Sequence, residues 1–313
     1  MGSQSTLLKN PAEWRQIAII AAYFGVIGTA YFVPQARTIF TLALACWLAF
    51  LNAVVIHNSL HQGPFVSQRL NYAWRMLLSF GVLYPASANI PSHNLVHHHF
   101  DDDGQKDWAD PSHVRFRWNL LNLIHFPNVA GPRTFAGVKL WARLAGRGEF
   151  RAQYTREIVF AFALTIAALV HDFWTGLFFI VLPQLYGARC ILRINLIQHD
   201  GCDTTSEWNH SRNFVGRAFN WVMCNNGLHT IHHTRAGLHW SELWKWHDKE
   251  CVPRIDPSLN ERSMVWYLLR TYLVHPLRPA PRDVAAAERK MEKIAIAPRE
   301  VRRAEVEAAG TAI

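Results

Sequence analysis

Three short runs of histidine carry most of the chemistry open to this chain. They are His57-Asn-Ser-Leu-His61, His93-Asn-Leu-Val-His97-His98-His99 and His229-Thr-Ile-His232-His233. In each run imidazoles stand three or four positions apart, which on an α-helix sets them on one face. The adjacent His of the second and third runs points about 100° away, so one helix can serve two ions. Imidazole suits iron, zinc or copper. Eight such rings are too many for one ion and suit two ions with four or more nitrogen ligands each. A lone His is ordinarily a core or surface residue, but three such runs account for over half of the 17 His in 313 residues.

Long apolar runs must position these groups. Ile17–Val33 and Thr38–Ile56 are almost uncharged and flank Pro34. A bilayer core about 30 Å thick needs roughly 20 apolar residues as helix, so the two runs fit a helical hairpin that turns at Val33-Pro34-Gln35. A second pair, Ile158–Val170 and Phe173–Leu185, turns at His171-Asp172 and needs extension from its flanks. The segment 113–156 between the pairs carries eight Lys and Arg, whereas the two turns carry Arg37 alone. That asymmetry puts the inter-hairpin segment, both termini and the region after 190 on the cytoplasmic side. The Arg- and Trp-rich stretches of 113–156 suit helices at the membrane interface, and equally an ordinary solvated basic face. Residues 70–90 contain Pro85 and must dip in and return or lie along the surface, because a full crossing would separate the first two histidine runs. The expected architecture is an all-α integral membrane protein with four transmembrane helices in two hairpins. It divides into an N-terminal segment 1–14, a membrane domain 15–275 and a charged, Ala-rich tail 276–313.

Composition removes several classes. A hydrophobic fraction of 50 % with 18 % charged residues excludes a disordered chain. The five Cys form no C-x-x-C pair, which argues against a disulfide framework, a zinc ribbon or an iron–sulfur cluster. The net charge of +9 alone would allow nucleic acid, anionic lipid or an acidic protein as partner, but nucleic acid leaves the apolar runs unexplained. A non-enzymatic metal carrier would carry ionisable residues inside its spans, and the first two runs have none. A two-metal site with open positions beside a bilayer favours oxygen activation over hydrolysis.

H-x3-H, H-x3-H-H and H-x2-H-H, in this order and separated by hydrophobic hairpins, resemble the membrane fatty-acid desaturase superfamily over about residues 15–275. The resemblance implies a four-helix membrane stalk under a cytosolic helical cap, which with the helix ends holds a His-ligated pair of irons. It implies as ligands His57, His61, His93, His97, His98, His229, His232 and His233. Asn195-Leu-Ile-Gln-His199 is similar to a further feature of animal stearoyl-CoA desaturases. It implies His199 as a ninth ligand and Asn195 as a polar residue near the metals. The triple 97–99 can also be read with the pair at 98–99; family spacing favours 97–98 and leaves His99 beside the metals. Asp101–Asp103, Asp107 and Asp110 are candidate partners for the far ring nitrogens, since a ligating His usually donates its other N–H to a carboxylate or carbonyl. His210 and the other unclustered His are read as structural.

The implied reaction uses two iron ions (Fe2+/Fe3+) and O2 to oxidise an unactivated C–H bond of a fatty-acyl or similar lipophilic substrate. Desaturation leads, with hydroxylation, ketolation or oxidative decarboxylation as alternatives on the same scaffold. Trp47, Phe50, Phe80, Tyr84 and Trp221 are candidate lining for an apolar tunnel. The sequence has no nucleotide fingerprint, Cys cluster or haem motif, so a separate electron donor is implied, ferredoxin-like or cytochrome b5-like. The basic segment 113–156 suits an acidic donor or anionic membrane lipids.

Overall fold

The computed structural model describes residues 7–99, 107–274 and 277, and most of them are helical. The helices are α1 (Trp14–Phe32), α2 (Ile39–His61), α3 (Gln68–Val82), α4 (Asn119–Ala142), α5 (Gly148–His171), α6 (Phe173–Gly176), α7 (Leu182–His199), α8 (Arg217–Val222), α9 (His229–Thr234), α10 (Leu243–Trp246) and α11 (Met264–Leu268). A π-helical stretch, Leu177–Val181, joins α6 to α7, so Phe173–His199 is one helix of 27 residues. Four helices are long and apolar enough to cross a membrane: Pro11–Phe32, Ile39–His61, Gly148–His171 and Phe173–His199. They cover the four apolar runs apart from Val33 and Thr38 at the first turn, and the short second pair is lengthened from both flanks. The tail expected over 276–313 lies outside the described residues, Leu277 apart.

Local chemistry sets the helix starts. Thr38 Oγ1 accepts the Thr41 N–H at 3.1 Å and opens α2; Asp172 Oδ1 accepts the Thr175 N–H at 3.1 Å and opens α6. The two turns these residues occupy lie together. Arg37 Nη1 is 3.6 Å from Asp172 Oδ2, and the Tyr31 hydroxyl donates to the Ala168 carbonyl at 2.6 Å and lies 3.1 Å from His171 Nδ1. His57, His61 and His199 sit at the opposite ends of α2 and α7, which leaves His171 far from them along the bundle.

α2 is apolar on every side and buried without a break from Leu48 to Ile56, as befits a central helix. α7 crosses it closely at Gly187, where a Cβ would stand 2.5 Å from the Ala49 carbonyl oxygen. Residues 70–90 form α3 and a left-handed turn at Leu83 (φ 50°), with no further span. α3 packs on α2, α5 and α7. Asn52 Nδ2 donates to the Leu78 carbonyl at 3.0 Å, Trp74 Nε1 to Ser59 Oγ at 3.0 Å, and Gln184 Nε2 to the Phe80 carbonyl at 2.7 Å. These buried donors within the bundle thus find acceptors on a neighbouring helix.

A buried carboxylate fixes the chain between α3 and the second histidine run. Glu157 of α5 accepts the Ser87 N–H and hydroxyl, both at 2.8 Å, and Gln153 Nε2 at 2.7 Å, with Arg75 Nε at 3.8 Å. After α7 the chain folds into short helices around Cys224, Leu228, Ile231, Trp240, Leu243, Cys251 and Ile255. The N-terminal segment is stitched to this layer by Glu13 Oε1, which pairs with His239 Nε2 at 2.8 Å, and to the loop after α2 by the Lys9 N–H, which donates to the Pro64 carbonyl at 2.9 Å.

Candidate metal centre

The first histidine run closes α2, the third forms α9, and His199 ends α7. The second run is irregular. Ile90–Val96, with Pro91 near its start, is π-helical and His97–His99 continues as a 3-10 turn. A π-helix bonds residues five apart rather than four. His98 Nε2 accordingly lies 3.0 Å from His93 Nε2, while His97 turns into a different group. The rings of His93 and His97 still stack side by side, as a shared face requires, but their ligating nitrogens enter different groups.

Two groups of four result. The ligand-capable nitrogens of His57, His61, His93 and His232 lie within 4.8 Å of one another, and so do those of His97, His199, His229 and His233. The groups adjoin, with ring centroids of His93 and His97 5.1 Å apart. His98 stands between them, 4.7 Å from His232 and 4.4 Å from His233. All nine expected histidines are in this assembly, eight in the two groups and His98 between. α9 serves both groups, sending His229 and His233, one turn apart, to one and His232 to the other.

The non-histidine residues of each run tie the elements together. Asn226 Nδ2 donates to Asn58 Oδ1 at 2.9 Å, Asn94 Nδ2 to the Leu60 carbonyl at 3.1 Å, and Gln198 Nε2 to the Asn226 carbonyl at 3.0 Å. The Thr230 N–H donates to Asn213 Oδ1 at 2.9 Å.

The donor set fits metal ions. Around an ion with nitrogen bonds of about 2.1 Å, ligands at right angles stand about 3 Å apart. His199 and His229 Nε2 are 2.8 Å apart, and His229 and His233 Nε2 3.1 Å. One ring nitrogen facing two others is poorly served by N–H donors alone. His61 Nε2, His232 Nε2 and His98 Nδ1 are buried without a hydrogen-bond partner, at a cost of about 1–3 kcal/mol each unless something else meets them. Burial, and then repulsion from neighbouring imidazoles, holds His93, His98, His229, His232 and His233 well below the usual histidine range. They are neutral, the form that ligates.

The far nitrogens are held on one side of the assembly. His97 Nδ1 pairs with Asp107 Oδ2 at 2.7 Å, and Asp107 Oδ1 accepts the Ala109 N–H at 2.9 Å. Asn195 Nδ2 donates to the Ala109 carbonyl at 2.8 Å, so its contact is with the loop that carries Asp107. His199 Nδ1 donates to the His210 carbonyl at 3.0 Å. His210, read from sequence as merely structural, is thus part of the surround, with its ring centroid 5.1 Å from that of His233. It acts through its backbone, which side-chain spacing does not encode. Asp110 instead caps the turn 111–113 through the Ser112 N–H at 2.5 Å and makes no hydrogen bond to the nine imidazoles among the described residues. His99 is exposed and belongs to neither group. Asp101–Asp103 fall outside the described residues.

A cavity of about 710 Å³ reaches the centre. His57, His93, His97, Asp107 and Asn195 line its inner end; the rest is mostly aliphatic or small, including Ala53, Ala109, Gly131 and Ala188. Of the five aromatics expected to line a tunnel only Tyr84 does so. Phe50 is buried in the core and Phe80 packs against it; Trp47 and Trp221 are exposed. Cavities form where side chains are small, and large rings fill the core instead.

No curated protein matches the chain. Residues 32–263, well over half of the chain, match the family model for fatty acid desaturase, a span that contains the four-histidine groups and the cavity beside them. The chain belongs to the fatty acid desaturase family and is a membrane oxidoreductase of lipophilic acyl substrates.

Proposed function

We propose that the protein is a di-iron oxidase that desaturates a fatty-acyl chain. One observation carries the reading: two adjoining groups of four imidazoles meet at the inner end of an apolar cavity, where His57, His93 and His97 line its wall. In it, one iron is held by His57, His61, His93 and His232, the other by His97, His199, His229 and His233, and His98 completes the shell between them. Iron bound there supplies the reduction of O2 and the removal of hydrogen from an unactivated C–H bond. The protein's own groups do the rest. The inner cavity wall sets the chain beside His57, His93 and His97, and its aliphatic lining excludes water. Asp107 and the His210 carbonyl fix the rings and tautomers of His97 and His199.

The four long helices form two hairpins with both turns on the non-cytoplasmic side, a reading supported by the contacts of Arg37 with Asp172 and by the cations of 113–156. The histidine groups, the cap built from the short helices after α7, and both termini then face the cytoplasm. Electrons come from a separate ferredoxin-like or cytochrome b5-like donor.

The test is metal analysis of the purified protein together with mass spectrometry of lipids from cells that express it, with and without His232→Ala. Two irons per chain and a product lacking two hydrogens are expected. A single zinc per chain would overturn the di-iron assignment; a product that has gained oxygen, or lost carbon dioxide, would replace desaturation with hydroxylation or decarboxylation.

A further inference from the structure

The cavity has a second end. Its inner residues are buried or half-buried, but Pro132, Phe135, Ala136 and Lys139 of α4 and Leu185 and Arg189 of α7 line it and are exposed. It therefore opens through a slot between α4 and α7, with a rim of apolar side chains and two cations.

The depth of this slot follows from helix geometry. Phe173 and Trp174, both exposed, mark one interface of the long helix that ends at His199. Arg189 lies sixteen residues beyond Phe173, about 24 Å along the axis at 1.5 Å per residue. A hydrocarbon core about 30 Å thick ends about 6 Å beyond it. Leu182 and Leu185, exposed on α7, then face lipid tails, and the long Arg189 side chain reaches toward the depth where tails give way to head groups.

α4 is the movable-looking wall, yet it is latched. Pro127 has no N–H for the Leu123 carbonyl; Arg193 Nε of α7 donates to that carbonyl at 3.2 Å. One turn away, Arg189 Nη1 donates to Asn128 Oδ1 at 2.8 Å. The remaining N–H groups of Arg189 and the Lys139 ammonium have no carboxylate partner among the described residues. α4, a single helix through Pro127, is thus held at a fixed distance from α7, with cationic donors to spare at the lip of the slot.

We propose that this slot is the substrate entrance, open sideways to the bilayer, and that it selects a single-chain amphiphile with an anionic head. Lys139 and Arg189 hold the carboxylate or phosphate at head-group depth, and the chain runs inward past Ala136 and Ala188 to the histidines. The proposal rests on reading the cavity as a chain-binding site, so its test reads binding as well as turnover.

Metal-loaded protein in neutral phosphatidylcholine vesicles is titrated with radiolabelled hexadecanoate and with hexadecanol. The wild type should bind the acid on the order of ten-fold more tightly, as one or two charge-assisted hydrogen bonds allow. The double variant Lys139→Gln, Arg189→Gln should lose that preference while its affinity for the alcohol and its metal content stay unchanged. Ala136→Trp, which plugs the slot, should weaken both ligands at wild-type metal content. Competition by phosphatidylglycerol vesicles would identify the anion as a bilayer phosphate, and competition by free acid alone as a carboxylate. Equal affinity of the wild type for acid and alcohol, equal losses of both in the double variant, or full binding in Ala136→Trp would overturn the proposal. If the binding pattern holds but no oxidised product forms, the desaturase reading fails and the entrance stands. If product forms and the variants bind like wild type, the entrance fails alone.

Discussion

The two histidine groups are alike in ligand number and unlike in support. In the group of His97, His199, His229 and His233, two far nitrogens are anchored, one on the Asp107 carboxylate and one on the His210 carbonyl. In the group of His57, His61, His93 and His232, the one such anchor among the described residues is Asn58 Oδ1, 3.3 Å from His57 Nδ1. The first arrangement fixes ring and tautomer before an ion arrives, whereas the second leaves the ion to order the rings. Ligand count alone hides this difference, since affinity depends on what stands behind the ligands.

The largest effects should come from removing a ligand on either side. His229→Ala and His232→Ala should each abolish turnover and lower bound metal from two ions toward one. The remaining ion should be the one in the opposite group, readable by metal analysis and by spectroscopy of a cobalt-substituted form. Retention of two ions in either variant would remove that residue from its group. Next in size is Asp107→Asn, which leaves an acceptor but removes the charge. It should weaken metal at the anchored group by about 10–100-fold and leave the other group unchanged. In the wild type, a stepwise chelator titration should strip the group of His57, His61, His93 and His232 first, and in Asp107→Asn the order should narrow or reverse. Simultaneous loss of both ions in the wild type would contradict the asymmetry.

Legibility in the sequence followed the regularity of the backbone. The runs at 57–61 and 229–233 sit on α-helices: His57 joins His61 as their spacing implies, and of the two partners the spacing allows His229, three and four residues on, His233 joins its group. The run at 93–99 translated only in part: the rings of His93 and His97 stay stacked, but the π-helical turn also brings His98 onto His93, and the ligating nitrogens of His93 and His97 enter different groups. Pro91 hinted at irregularity but not at its kind. The four long apolar helices were legible from length and charge. The lining of the cavity was not, because it depends on which helix face is left with small residues, and that is decided by packing between α2, α4 and α7. His210 was invisible for a different reason: its contribution is a carbonyl, which every residue has.

The anchored group also depends on elements that do not touch its ligands. Glu157 holds Ser87, six residues before His93, and so fixes the start of the run that supplies both groups. Glu157→Gln keeps hydrogen-bonding capacity but leaves Arg75 without its nearest carboxylate; a loss of about 1–3 kcal/mol in stability is expected, measured by thermal unfolding in detergent. Because His93 and His97 leave this segment for different groups, the variant should loosen metal at both sites together, unlike Asp107→Asn.

The smallest expected effect isolates a single bond behind the anchor. Asn195 Nδ2 holds the Ala109 carbonyl, and the Ala109 N–H holds Asp107 Oδ1. Asn195→Ala removes the outer member of this chain and leaves Asp107 on His97. The loss should be about 0.5–1.5 kcal/mol, with metal affinity at the anchored group reduced by roughly ten-fold at most and the other group unaffected. Were Asn195 instead to act directly at the metals, its loss would impair turnover at unchanged metal content and unchanged chelator order. The chelator titration of Asn195→Ala, read against its rate of product formation, therefore decides whether Asn195 serves the Asp107 loop or the reacting centre.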